Sequence, residues 1–183
     1  MKHSLTLGGI VALSVLLLSC QADLTQNTNG NPPSPSSFTL TSGAFENNGV
    51  IPSAYSCDGA GQNPPLSIQG VPTDAKSLAL IIADSSASPS LFIHWVLWNL
   101  QPQDQDLTEG INIDSSELGL TSAGTTAYVP PCPTGGSHMY HFILFALDTR
   151  LQFDSPPTDQ QLQDAMKGHI LGQTELAGSY HRN

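Results

Sequence analysis

Two histidines of the chain stand where a small polar loop leads into an apolar strand. In residues 84–99 (DSSASPSLFIHWVLWN), a serine-rich loop precedes a β-branched and aromatic run that contains His94. In residues 128–148 (YVPPCPTGGSHMYHFILFALD), a Pro/Gly loop precedes a second apolar run that begins at His138. Side chains two apart on a strand share a face, so His138 and Tyr140 point to the same side.

The two junctions can form a small polar pocket if they meet at one end of a sheet. Asp84 opens the first of the two loops. The competing interpretation is that His94 is a core histidine satisfied by a neighbour.

A metal site and a hydrolase active site are the alternatives to a binding pocket. Five residues could ligate a metal, but they show no CxxC, HExxH or other compact ligand spacing: Cys57, Asp84, His94, Cys132 and His138. A hydrolase of the G-x-S-x-G type is not indicated, because Ser85, Ser86 and Ser88 lie in a plain serine-rich loop. A Cys57–histidine pair would be nucleophilic only while the thiol stays reduced. We therefore predict no metal, no cofactor and no catalysis.

Composition favours one turn-rich β domain. A chain of 183 residues can bury a sizeable core, and its 16 Gly, 14 Pro and 11% charged residues suit β structure better than a helical bundle. Short apolar runs predict strands at residues 38–40 and 76–83. Residues 51–68 and 101–127 are predicted to be irregular.

The pattern changes after residue 157. Thr158 can cap a helix, and Leu162, Ala165 and Met166 fall on one helical face. Gly168 is a helix breaker, so residues 158–177 are predicted to form two helices packed on the β structure.

The first 19 residues have the pattern of a secretory signal peptide. Lys2 supplies the positive charge, and the apolar run at residues 7–18 is too short to favour a permanent membrane span. The run ends in LLSC (residues 17–20), which resembles a bacterial lipobox, in which Cys20 is lipidated and becomes the mature N-terminus. Several acyl chains would anchor the protein stably in the cell envelope, and the absence of an aspartate directly after the cysteine favours the outer membrane by analogy. An ordinary signal peptide with a coincidental cysteine is the alternative.

The mature chain is strongly acidic. The full chain carries 5 Lys+Arg and 15 Asp+Glu, a net charge of −10. Removal of residues 1–19 takes away Lys2 and no acid, which leaves 4 basic and 15 acidic residues, a net charge of −11. Such a surface repels nucleic acid, so no nucleic-acid partner is expected and any anion site must be built from local donors. Residues 20–37 are polar and rich in Asn, Pro and Ser, which predicts a flexible tether before a single domain at residues 38–183.

Several motifs together resemble the phosphatidylethanolamine-binding protein family, most closely its bacterial Raf-kinase-inhibitor-like branch. They are IPSAYSCDG, NPPLSI, HWVLWN, the C-P-x-G loop, H-x-Y and the closing AMKGHILGQTELAGSYHR, in family order over about residues 38–182. The resemblance implies a mainly β sandwich, a central antiparallel sheet packed on a second sheet, with C-terminal helices. It also implies a non-enzymatic binding protein whose alternative role is to inhibit or regulate a partner protein, such as an extracytoplasmic protease.

Carried over by position, the family's pocket for a small anion or phospholipid headgroup falls on Asp84, His94, His138 and Tyr140, with the loop around Pro131 at its rim. The resemblance implies that imidazole and phenol groups donate hydrogen bonds to the anion without a strong cation nearby. Within such a pocket we expect Asp84 to orient His94 rather than to touch the anion, because two negative charges repel. Two family motifs are altered here. The usual D-P-D-A-P is DSSAS at residues 84–88, and the usual H-R-Y is His138-Met139-Tyr140. The aspartate and arginine that are absent usually pair with each other, so their joint loss indicates a replaced ion pair and removes a positive charge beside the pocket.

Cys57 and Cys132 remain after lipidation of Cys20. An even pair in an exported protein indicates a disulfide, provided that the two Cα atoms lie close enough. Such a bond would tie the IPSAYSCDG loop to the pocket rim.

Overall fold

The computed structural model describes residues 37–182. The predicted signal peptide, the lipidated Cys20 and the tether up to Ser36 lie outside the described residues. Within the described part, no helix combines the length and apolarity that a membrane crossing requires.

Two sheets form the domain. The larger has five strands in the spatial order β2 (Gly49–Val50), β8 (Ile170–His181), β7 (Ser137–Leu147), β4 (Ser77–Asp84) and β5 (Phe92–Leu100). The smaller has three, β1 (Thr39–Thr41), β3 (Leu66–Gln69) and β6 (Gln105–Leu107). All pairs are antiparallel except β2 and β8, which run parallel. The predicted mainly β class is confirmed.

The two sheets pack face to face around one apolar cluster. Leu40, Ile68 and Leu107 of the small sheet contribute to it, together with Leu80 and Phe142 of the large one. This arrangement confirms the predicted sandwich, in which alternate residues of each strand enter the space between the sheets.

A second apolar cluster covers the outer face of the large sheet. It joins Ile81, Ile93 and Phe145 to Leu162 and Met166 of helix α1 (Asp159–Met166). Strand β4 is therefore covered on both faces and every one of its residues is buried. That burial explains its nearly continuous apolar sequence, and it brings Asp84 to the end of the strand as a buried carboxylate.

The prediction of two helices at residues 158–177 is wrong in its second half. Thr158 caps α1 as predicted, and Gln161 completes a capping box with it. Gly168 then adopts φ +81°, and the chain continues as β8 rather than as a helix. Pairing with β7 along the whole length of β8 outweighs the local helical preference of this segment.

Two segments predicted to be irregular also contain short strands. β3 begins within residues 51–68, and β6 lies within residues 101–127. Strands of three or four residues are too short for a periodic signal, and their pairing partners are distant in sequence.

Candidate functional site

A cavity of about 320 Å³ opens at the end of the large sheet where β4 terminates. Asp84 ends β4 and is paired with Phe92 of β5 on one side and with Tyr140 of β7 on the other. The pairing therefore brings both loop-to-strand junctions to one place, as the sequence predicts. Its lining includes Asp84, Phe92, His94, His138, Tyr140 and the loop residues Val129, Pro130, Cys132, Pro133 and Thr134.

A register shift in β5 aims His94 into this cavity. Ile82 pairs with Trp95 and Ala83 pairs with Ile93, so His94 is the extra residue between two regular pairs. Such a bulge redirects a side chain, and it lets His94 lie beside Tyr140 while its neighbour Trp95 also enters the core. The His94 and Tyr140 rings meet edge to face with centroids 5.2 Å apart.

Asp84 orients His138, not His94 as predicted. Its Oδ2 accepts a hydrogen bond from His138 Nδ1 at 2.6 Å, and its Oδ1 accepts one from the Ser86 backbone N–H at 2.8 Å. Both carboxylate oxygens are thus engaged, and the carboxylate is almost fully buried. The structural reason is that Asp84 and His138 lie at the ends of adjacent strands, whereas the His94 ring turns toward another loop.

The His94 ring is fixed by the backbone. Its Nδ1 donates to the Val129 carbonyl oxygen at 2.6 Å, because a carbonyl can only accept. Burial lowers the pKa of this imidazole, with the Val129 hydrogen bond and the Asp84 charge partly opposing the effect. The neutral ring therefore carries its proton on Nδ1 and presents a lone pair on Nε2.

Two buried polar atoms of the cavity wall have no hydrogen-bond partner among the described residues. They are His94 Nε2 and the Tyr140 hydroxyl. Burial, with the Asp84 charge adding to it, raises the pKa of the Tyr140 phenol, which therefore stays protonated and can donate. A buried polar atom without a partner is costly, and one that lines a cavity is satisfied when a ligand or water occupies that cavity.

No lysine or arginine is among the residues that line the described cavity. The altered family motifs account for this. Ser86 and Met139 occupy the positions of the family's aspartate and arginine, and the Met139 N–H donates to Ser86 Oγ at 3.0 Å. The replaced ion pair is thus a neutral hydrogen bond between the same two positions.

A disulfide between Cys57 and Cys132 holds the rim, with Cα atoms 5.4 Å apart. The Cys57 N–H also donates to the Pro131 carbonyl at 3.0 Å. Pro131 itself is buried and does not line the cavity, so it supports the rim while its neighbours Pro130 and Cys132 form it.

The disulfide also bears on the competing sites. Both cysteines are consumed by it, so neither is a metal ligand or a nucleophile in this state. Across the described residues, no group of three or more His, Cys, Asp or Glu side chains is arranged to hold a metal ion.

Sequence reasoning did not identify Phe92 and Val129 as site residues. Phe92 packs on the His94 ring with centroids 4.8 Å apart, and the Val129 carbonyl fixes the His94 tautomer. Phe92 begins the strand that contains His94, and this position in the sequence could have identified it as a site residue. Nothing in the sequence indicates that the backbone carbonyl of Val129, 35 residues away, contacts the His94 ring.

The comparisons with known proteins agree with this fold. The family model described as phosphatidylethanolamine-binding protein matches residues 41–181. A UPF0098 protein of Chlamydia trachomatis serovar D is 44% identical over 149 residues, covering 79% of this chain and 99% of the relative. A UPF0098 protein of Methanothermobacter thermautotrophicus is 43% identical over 150 residues, with coverage of 79% and 99%. The chain belongs to the phosphatidylethanolamine-binding protein family.

Solved structures share the fold. A phosphatidylethanolamine-binding protein homologue from Chlamydia trachomatis superposes with a TM-score of 0.77 at 43% identity, over 82% of this chain and 100% of that one. YbcL of E. coli superposes with a TM-score of 0.72 at 22% identity, over 80% and 99% of the two chains. The second likeness shows the fold alone.

Proposed function

We propose that this protein is a lipid-anchored binding protein of the bacterial cell envelope, and that its cavity receives a phosphoryl group without catalysing a reaction on it. The observation that carries the proposal is the pair of unpartnered buried atoms in the cavity wall, His94 Nε2 and the Tyr140 hydroxyl. Family membership supports the ligand class, because the family is described as binding phosphatidylethanolamine.

The Tyr140 hydroxyl and His94 Nε2 require different hydrogen-bonding groups on a ligand. The Tyr140 phenol donates, which suits a phosphoryl oxygen. The neutral His94 ring accepts at Nε2, so the ligand must bring a hydrogen there or the ring must take up a second proton. A singly protonated phosphomonoester offers both groups at once, an oxygen for Tyr140 and a P–OH for His94. His138 lies in the same cavity wall, with its Nδ1 held by Asp84.

A phosphodiester has no P–OH. Its binding therefore requires protonation of His94, which burial opposes. The site should prefer a monoester such as O-phosphoethanolamine over the diester glycerophosphoethanolamine. A lipid headgroup is a diester, so a free phosphomonoester fits the described cavity better than an intact phospholipid does.

The test is an NMR titration of the protein lacking residues 1–20. Inorganic phosphate, O-phosphoethanolamine and glycerophosphoethanolamine are added in turn while the His94 and His138 ring signals are followed. We expect saturable shifts of both rings and the tightest binding for the monoester. Above pH 7 the monoester is mostly dianionic in solution and must gain one proton in the site, so its affinity should fall about tenfold per pH unit.

Tyr140→Phe is the matched variant for this titration. It removes one hydroxyl that has no hydrogen-bond partner within residues 37–182, so the unliganded variant should be at least as stable as the wild type. Its affinity for the monoester should fall by about tenfold or more, as for loss of a hydrogen bond to a charged group. Absence of any saturable shift at millimolar ligand would contradict the phosphoryl pocket. The leading function would then be the alternative, regulation of a partner protein such as an extracytoplasmic protease.

A further inference from the structure

A second cluster of chemically competent side chains lies on the opposite face of the large sheet. Ser85 Oγ is 2.8 Å from His141 Nε2, and His141 Nδ1 is 2.5 Å from Glu175 Oε1. Tyr140 and Phe142 point into the sandwich, so His141 between them points to the outer face and away from the cavity. The three residues form a linear serine–histidine–carboxylate chain that the proposed binding function does not use.

The hydrogen-bond directions in this chain follow from the groups. The Glu175 carboxylate can only accept, so His141 Nδ1 carries the proton that lies between them. The neutral ring then presents a lone pair on Nε2, and the Ser85 hydroxyl donates to it. This is the arrangement in which an imidazole acts as a general base toward a serine hydroxyl.

The cluster is held on rigid elements. His141 is paired with Ala83 of β4 and with Ala177 of β8, and Glu175 lies on β8 opposite Ile143. Ser85 directly follows β4, and its own N–H donates to the Met139 carbonyl at 3.1 Å. His141 and Glu175 thus lie on paired strands, and Ser85 is tied to β7 by this hydrogen bond, so the cluster keeps its geometry better than one built wholly on a free loop.

We propose that Ser85 is an activated nucleophile that accepts an acyl group from small, uncharged esters. His141 Nε2 takes the hydroxyl proton as Ser85 Oγ forms a bond to the ester carbonyl carbon. The carbon–oxygen bond to the alcohol then breaks, and the departing alcohol takes the proton back from His141. Ser85 is left as an acyl ester, which water hydrolyses by the same two proton transfers in reverse order. Glu175 acts through His141 as a positioning residue.

The same geometry indicates that both acyl-transfer steps are slow. In hydrolases with a nucleophile elbow, the N–H of the residue after the serine stabilises the oxyanion. Here the Ser86 N–H donates to Asp84 Oδ1 instead, and the Ser85 N–H is engaged by Met139. With both N–H groups occupied, acylation and deacylation both lack this stabilisation, so only an ester with a good leaving group should acylate Ser85 at a measurable rate, and turnover should be poor.

The surroundings restrict the acyl donor. Ser85 is exposed, and the His141 and Glu175 side chains are 29% and 43% exposed, so the cluster lies at the surface. An ester therefore does not need a long acyl chain to reach Ser85. The Glu175 charge and the chain's net charge of −10 disfavour anionic donors. Short neutral esters are the class that remains.

The experiment uses the full-length protein in detergent, with p-nitrophenyl acetate and a fluorophosphonate as separate probes. We expect intact-mass spectrometry to show one adduct, mapped to Ser85 by peptide sequencing. Ser85→Ala should lose that adduct completely, and His141→Gln should slow its formation about 100-fold or more, as for loss of a general base. Ser90→Ala, which removes an exposed serine of the same loop, is the matched control and should label like the wild type.

Glu175→Gln tests the positioning role. The proton between His141 and Glu175 should give a downfield NMR resonance in the wild type that disappears in Glu175→Gln, together with slower labelling. Equal labelling of Ser85→Ala and wild type, or an adduct on any other serine alone, would overturn the proposal. These outcomes do not depend on ligand binding in the cavity, because none of the three residues lines it.

Discussion

The folded protein favours the neutral form of the His94 ring, so acid should lower the stability of the fold. Its pKa lies below the ordinary value of 6.5, chiefly because burial penalises the charged ring. Above pH 6.5 the ring is neutral in both the folded and the unfolded chain. Below that pH the unfolded chain takes up a proton that the folded chain resists, so the free energy of unfolding falls as the pH drops.

The variant His94→Gln isolates this effect. Urea unfolding is measured for wild type and variant at pH 7.5 and pH 5.5, without ligand. We expect the stability advantage of the wild type to shrink on acidification, because only the wild type has this buried titrating group. An advantage of the same size at both pH values would show that His94 is not held neutral by burial.

At the scale of single residues, the sequence predicted which side chains meet but not what each one does. Asp84, His94, His138 and Tyr140 all line one cavity. Their roles depend on details that strand patterns do not encode, namely the bulge at His94 and the carbonyl of Val129. For the same reason, the sequence does not predict the contact between Ser85 and His141. The two residues lie 56 positions apart, and the sequence indicates only a serine in a loop and a histidine in a strand.

The disulfide is the element-scale feature with the clearest energetic consequence. Cys57 and Cys132 are separated by 75 positions, and in the chain-entropy model a loop of that size stabilises the fold by roughly 4 kcal/mol. Cys57 and Cys132 lie in the two loops that meet at the cavity rim, so the disulfide also limits the motion of the rim. Its loss should therefore affect both stability and ligand affinity.

We expect the double variant Cys57→Ser/Cys132→Ser to lose a few kcal/mol of unfolding free energy, up to roughly that value, and to bind phosphomonoesters more weakly. Urea unfolding with and without reductant measures the first effect, and the ring titration measures the second. Reductant should destabilise the wild type and leave the double variant unchanged. A variant as stable as the oxidised wild type would show that the rim is held by its other contacts, such as the Cys57 N–H to Pro131 hydrogen bond.

Element prediction succeeded where the local signal was strong. The apolar run after Lys76 forms strand β4, which is covered on both faces. Thr158 is the N-cap of helix α1 and forms a capping box with Gln161. It failed for residues 170–177, where Gly168 predicts a break between two helices but instead precedes strand β8. Nothing local distinguishes the two outcomes, because β8 depends on its pairing with β7.

At the scale of the whole molecule, the proposed lipid on Cys20 would determine where the domain works. The net charge of the proposed mature chain, −11 from 4 basic and 15 acidic residues, would oppose adsorption to anionic membranes. We therefore propose that membrane attachment comes from the acyl chains alone. We expect the wild type to sediment with membranes, to resist high salt and to be released by detergent.

Cys20→Ala should move the protein from the membrane fraction to the soluble extracytoplasmic fraction, as followed by immunoblotting. Radiolabelled palmitate should be incorporated by the wild type and not by this variant. Cys57→Ser, which leaves Cys20 intact, controls for general effects of cysteine replacement. Membrane retention of unlabelled Cys20→Ala would contradict the anchor and favour another mode of attachment.

The last strand in the sequence occupies the interior of the large sheet. β8 lies between β2 and β7, and its register extends from the Ser137–His181 pair to the Leu147–Ile170 pair. A chain that emerges from a ribosome or a translocation channel N-terminus first cannot close this sheet until residues 170–181 have emerged. Until then the backbone groups of β7 that face β8 are open to pairing with other chains. Completion of the sheet therefore waits for β8, and the interval before β8 emerges is when a chaperone would be needed.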